Sequence, residues 1–151
     1  LCFWGVGWVV FGGGAGGVFF SFLVGGGIPA SEFVTMAIVA PLAEELAKAS
    51  VFILVATGAR KLELTSLTDH IFYAGICALG FAFVENLGYF ALSSSAGEFV
   101  VMALVRTGFG VFGHPLYTTA TAVGIWAWRT KGGLWKAAVG YIAACPLHGL
   151  W

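Results

Sequence analysis

The sequence predicts an all-α fold, a polytopic bundle of about five transmembrane helices, and three observations carry that prediction. Hydrophobic residues make up 60% of the chain and charged residues 9%, against about 25% charged in an ordinary soluble domain. Mean hydropathy is +0.96, so bilayer rather than water is the solvent to assume. The apolar residues also run in long blocks broken by Gly, Pro, Ser or charge. A hydrocarbon core about 30 Å thick takes roughly 20 such residues per helix, which gives 151 residues room for about five spans. Lipid tolerates only helices or closed barrels, so each block reads as a helix.

The candidate spans in chain order are Leu1 to Val24, Phe33 to Thr57, Ile71 to Leu92, Phe99 to Trp128 and Leu134 to Trp151. They form one membrane domain over 1–151, with the charged motifs confined to 41–151. The absence of Met at position 1 and the stop at Trp151 inside an apolar segment read as ends trimmed from a longer chain. The connectors Gly25 to Ser31 and Ser93 to Glu98 have turn chemistry, and Ser31 is placed to cap the second span. Arg60 and Lys61 follow span two, and Arg129, Lys131 and Lys136 surround the start of span five. The positive-inside rule makes these basic loops, 58–68 and 129–136, cytoplasmic. Glycines at 12, 13, 14, 16 and 17, and again at 75, 80, 108, 110 and 113, suit close packing of membrane helices. The first cluster lacks the Lys-Ser/Thr of a phosphate loop. Cys2, Cys77 and Cys145 lack metal-module or disulfide spacing and read as small core residues. A formal net charge of zero gives no reason to invoke nucleic acid.

Charge inside the spans is the feature that asks for function. A charged side chain at the middle of an inserted helix costs about 2.5 to 3.5 kcal/mol on the lenient insertion scale. Here such residues come as a set: Glu44, Glu45 and Lys48 in span two, Glu85 with Asn86 in span three, Arg106 and His114 in span four, and His148 in span five. At 1.5 Å per residue, Glu44 lies roughly 20 Å from Ser31, His148 roughly 21 Å from Leu134 and Glu85 about 12 Å from Ser93. All fall at intermediate depth, where they can converge. Lys48 is four residues beyond Glu44 and three beyond Glu45, within reach of either. Two neighbouring carboxyls in a poorly solvated place do not both ionise readily, which suits proton transfer. Pro41, Pro115 and Pro146 each sit within three residues of a polar group, and are expected to kink the helices and free carbonyls around a wet pocket. His70, beside Asp69 at the start of span three, reads as a solvated or interfacial residue.

The segment Glu44-Glu45-Leu46-Ala47-Lys48 resembles the EExxK motif of the PrsW family of intramembrane proteases, and Phe81 to Asn86 resembles its FxxxEN motif. Arg106, His114 and then His148-Gly149-Leu150-Trp151 resemble the family's later histidine segments, in order. The paired glutamates are also similar to those of the wider group that holds the CAAX prenyl endopeptidases. The resemblance implies hydrolysis of a peptide bond in or beside the membrane segment of a membrane-bound protein, typified by an anti-sigma factor. It implies a catalytic set of Glu44, Glu45, Glu85, His114 and His148, with Lys48, Asn86 and Arg106 in support.

Hydrolysis needs a base for water, a stabiliser for the oxyanion and an acid for the leaving amine, all of which glutamate and histidine can supply. No cofactor is required for that chemistry. The same five residues could instead bind zinc, although the HExxH signature is absent. A proton- or ion-coupled transporter would also place Glu, Lys, Arg and His inside the membrane, and a glycine-packed scaffold would use none of them chemically.

Overall fold

A computed structural model describes residues 34–58 and 63–150 of the chain, and among them every regular element is helical. The helices are α1 (Ala40–Thr57), α2 (Leu67–Ala91), α3 (Ala96–Val105), α4 (Gly113–Lys131) and α5 (Trp135–Gly149). Two π-helical turns, Thr35–Val39 and Arg106–Gly110, precede α1 and follow α3. The expected first span, the glycines at 12–17, the Gly25 to Ser31 connector, Cys2, Arg60, Lys61 and Trp151 lie outside the described residues.

Two helical runs among the described residues are long and apolar enough to cross a membrane, Leu67–Ala91 and Ala96–Lys131. The expected number of about five spans is therefore not reached on that criterion. α1 carries Glu44, Glu45 and Lys48 within its 18 residues, and α5 is 15 residues long. Span three starts at Leu67 rather than Ile71, because Ser66 and Asp69 form a reciprocal capping box: Asp69 N donates to Ser66 Oγ at 3.1 Å and Ser66 N to Asp69 Oδ2 at 2.7 Å. Span four is not one uniform helix. It starts at Ala96, where Ser95 Oγ accepts from Glu98 N, and changes helix type at Arg106–Gly110.

The prolines act differently from expectation. Pro41 and Pro115 occupy the first turns of α1 and α4, where a missing N–H costs little, and a π-turn lies upstream of each. Pro146 alone of the three sits inside a helix.

α4 is the central element, packed against α2 and α5 and touching α1, while α1 also packs on α5 and α2. α4 and α5 form a tight hairpin turned by Gly132 and Gly133 at φ of 67° and 84°, a region that favours glycine. Lys136 Nζ donates to the Gly132 carbonyl at 2.7 Å. The two helices touch backbone to backbone: a Cβ on Gly124 would fall 2.6 Å from the Lys136 carbonyl oxygen, and one on Gly140 2.6 Å from that of Ala120. Close packing by glycine thus operates at this pair. It does not operate at Gly108, around which there is open space.

Phe52, Ala56, Leu64, Ala74, Ala122, Ile125 and Ala137 form an apolar core at one end of the bundle. Arg129 donates to the Leu64 carbonyl at 3.1 Å and faces His70 Nε2 at 2.8 Å, so residues 63–66 and the α4–α5 turn share that end. His70 is 1% exposed, with Nδ1 at 2.7 Å from the Ser66 carbonyl and its ring edge-on to Phe52. This corrects the solvated reading: starting the helix four residues earlier carries His70 into the bundle. Leu54, Phe72, Phe83, Leu104, Leu116 and Ile142 cover the outside, the apolar surface that a lipid-facing bundle presents.

Candidate active site

Every charged or imidazole side chain expected to converge does so in the half of the bundle opposite the apolar core. The antiparallel run of α1, α2, α4 and α5 brings together the start of α1 (Glu44, Glu45, Lys48), the last third of α2 (Glu85, Asn86), the start of α4 (His114) and the end of α5 (His148). The π-turn at Arg106–Gly110 adds Arg106. Glu44, Glu85, Arg106, His114 and His148 line a cavity of about 380 Å³, together with Ala37, Ala40, Pro41, Tyr89 and Gly149.

The paired glutamates, about 100° apart around the helix, have different surroundings. Glu45 points into the bundle, 0% exposed, with Lys48 Nζ at 2.5 Å from Oε1 and the Thr118 hydroxyl donating to Oε2 at 3.1 Å. Glu44 faces the cavity, and its Oε2 is buried without a hydrogen bond. Lys48 Nζ also lies 3.0 Å from His114 Nδ1. An ammonium has donors only, so Nδ1 accepts and the ring proton belongs on Nε2. That nitrogen stands 2.9 Å from Glu85 Oε2, which Arg106 Nη2 approaches to 2.8 Å. Arg106 Nε donates to Asn86 Oδ1 at 2.6 Å, and its guanidinium lies 3.8 Å from the centre of the Tyr89 ring.

The second histidine has the opposite partner. His148 Nδ1 is 3.1 Å from Glu45 Oε1, and its Nε2 is 3.6 Å from Glu44 Oε2. These are close contacts without hydrogen-bond alignment, and Nδ1, like Glu44 Oε2 and Glu85 Oε2, is buried with no hydrogen bond. Three residues that sequence reasoning passed over complete the site: Thr118 beneath Glu45, Tyr89 beneath Arg106, and Tyr117, stacked on His148 with ring centres 5.1 Å apart. None carries charge, so nothing in an apolar segment marks them.

Glu44, His114 and His148 offer one ligand atom each within 4.8 Å of one another, and a carboxylate with two imidazoles is a familiar catalytic zinc set. In donor type the trio fits a divalent cation. The proton arrangement does not fit. A metal-ligating histidine donates its other ring N–H to a carboxylate, carbonyl or water, as His148 can toward Glu45, whereas His114 Nδ1 faces an ammonium. His114 is set to donate from Nε2 rather than to ligate through it.

Fold and site together define a helical membrane protein with an acid–base cluster of Glu and His buried between its helices. The chain matches, over residues 1–151, the family described as PrsW family intramembrane metalloprotease. It belongs to that family and is a membrane-embedded protease; membership weighs against the transporter that the same buried charges would suit. No curated protein and no solved structure matches the chain.

Proposed function

We propose that the chain hydrolyses a peptide bond in or beside the membrane-spanning segment of a membrane protein, an anti-sigma-factor-like substrate, with Glu44 as the base. The observation that carries this reading is the convergence of Glu44, Glu85, His114 and His148, from four different helices, on one cavity. Glu44 Oε2, buried without a hydrogen bond, takes a proton from water held between it and Glu85. The oxygen attacks the scissile carbonyl, and the His114 Nε2–H stabilises the oxyanion that forms. Glu44 hands that proton to His148 Nε2, 3.6 Å from its Oε2, and His148 passes it to the leaving amine as the carbon–nitrogen bond breaks, with its Nδ1 3.1 Å from Glu45 Oε1. Products are a carboxylate and an amine. The mechanism has no step through a metal. The end bearing Arg129, Lys131 and Lys136 is the cytoplasmic one under the positive-inside rule.

The test is cleavage of a panel of single-span membrane substrates in liposomes by wild type and Glu44→Gln. Cleavage by wild type, lost in a variant that still melts as wild type does, supports the reading. Equal turnover by the two proteins removes Glu44 as base.

A further inference from the structure

His148 stands in the last turn of α5, two residues beyond Pro146, where a helix frays and constrains its side chains least. Its ring meets Glu45 through Nδ1 at 3.1 Å and Glu44 through Nε2 at 3.6 Å, neither as an aligned hydrogen bond, so the two carboxylates do not by themselves fix the plane of the imidazole. Something must hold the plane of the ring. Tyr117, one turn along α4 from His114, is placed to do so. Its ring lies nearly parallel to that of His148, at 18° and 5.1 Å between centres, within the range for offset stacking. The same ring meets His114 at 65° and 6.3 Å, and the two imidazoles meet each other at 79° and 4.8 Å. Three rings therefore fix one another's orientations.

Two further features fit a brace rather than a contact with substrate. Tyr117 is 7% exposed and is absent from the cavity wall that Glu44, Glu85, His114 and His148 form. Its ring lies back over the preceding turn, as helical side chains do, into space kept by Gly113. A Cβ at 113 would come within 2.9 Å of Tyr117 Oη.

We propose that Tyr117 is a positioning residue, whose aromatic face holds the His148 imidazole with Nδ1 against Glu45 and Nε2 toward Glu44 and the cavity. This rests on the hydrolytic reading of the site. The aromatic face does the work, so phenylalanine replaces tyrosine. Losing the face lets Nε2 wander, and a misplacement of about 1 Å costs about 100-fold in rate.

The experiment compares wild type, Tyr117→Phe, Tyr117→Leu and Gly113→Ala. Readouts are kcat and KM on a cleaved single-span substrate, melting temperature, and the substrate-free NMR signals of ¹³C-labelled histidine, with His148 assigned by its loss in His148→Gln. The stacked ring shifts the His148 ring protons upfield. Tyr117→Phe is expected to keep that shift and a kcat within about two-fold of wild type, while Tyr117→Leu loses the shift and falls about 10- to 100-fold in kcat at constant KM. Gly113→Ala, which pushes the ring while retaining Tyr117, should move the shift and kcat in the same direction, and it decides the matter if Tyr117→Leu fails to fold. Unchanged kcat in Tyr117→Leu overturns the proposal, as does an equal loss in Tyr117→Phe. Should wild type cleave nothing, the protease reading fails by itself, and the His148 shift still decides the brace.

Discussion

Replacing Lys48 by methionine tests whether the buried charges form a closed unit. Lys48 and Glu45 are both 0% exposed, with Nζ 2.5 Å from Oε1. Methionine keeps an unbranched stem beside Phe81, whose ring centre the ammonium approaches to 4.8 Å. The Glu45 carboxylate would be left with the Thr118 hydroxyl at 3.1 Å and the His148 ring nitrogen at 3.1 Å, neither of which supplies a fixed positive charge. Breaking a buried pair from one side costs about 3–5 kcal/mol, because the remaining charge stays desolvated. Glu45→Gln does the same to Lys48, so that variant should lose stability as well as cleavage. The double variant buries no unpaired charge and loses one or two hydrogen bonds, about 1–3 kcal/mol. The two single effects together should therefore exceed the double by at least about 3 kcal/mol, against about 0.5 kcal/mol for independent sites. Reversible unfolding in mixed micelles measures all four proteins. A Lys48→Met variant within about 1 kcal/mol of wild type, or single effects that simply add, would refute the closed pair and the placement of the His114 proton that depends on it.

Other outcomes follow from the same contacts. Arg106→Lys should lower turnover at least about 10-fold in the cleavage assay, because a point charge cannot contact Glu85 and Asn86 together while stacked on Tyr89; unchanged turnover would make the fork incidental. Gly124→Ala should destabilise by about 1–3 kcal/mol, since its Cβ meets backbone at 2.6 Å. Gly88→Ala, with open space around it, should be neutral or stabilising by about 0.5–1 kcal/mol, and equal melting shifts in the two variants would deny the close approach of α4 and α5. Cleavage should survive exhaustive chelation; loss restored by zinc would mean that Lys48 turns away from His114 to free it as a ligand.

The parts of this molecule that were legible in its sequence are those where lipid makes a residue expensive. Glu44, Glu45, Lys48, Glu85, Arg106, His114 and His148 stood out because each costs free energy in an apolar span, and all seven meet in the structure. The capping box at Ser66 and Asp69 was equally visible in its spacing, and reading it would have moved the helix start to Leu67 and His70 into the bundle. The helix change at Arg106–Gly110 was harder, because Thr107, Gly108 and Gly110 weaken an α-helix without saying which turn replaces it. Tyr117, Thr118 and Tyr89 were not legible at all. An aromatic ring or a hydroxyl costs little in a membrane helix, and its role is set by neighbours 17 to 73 residues away along the chain. Proton placement lies beyond both composition and spacing. Glu45 and Lys48 are three residues apart on one helix, yet one comes against His148 and the other against His114. That division gives two chemically identical imidazoles different tasks, and it exists only once four helices have packed.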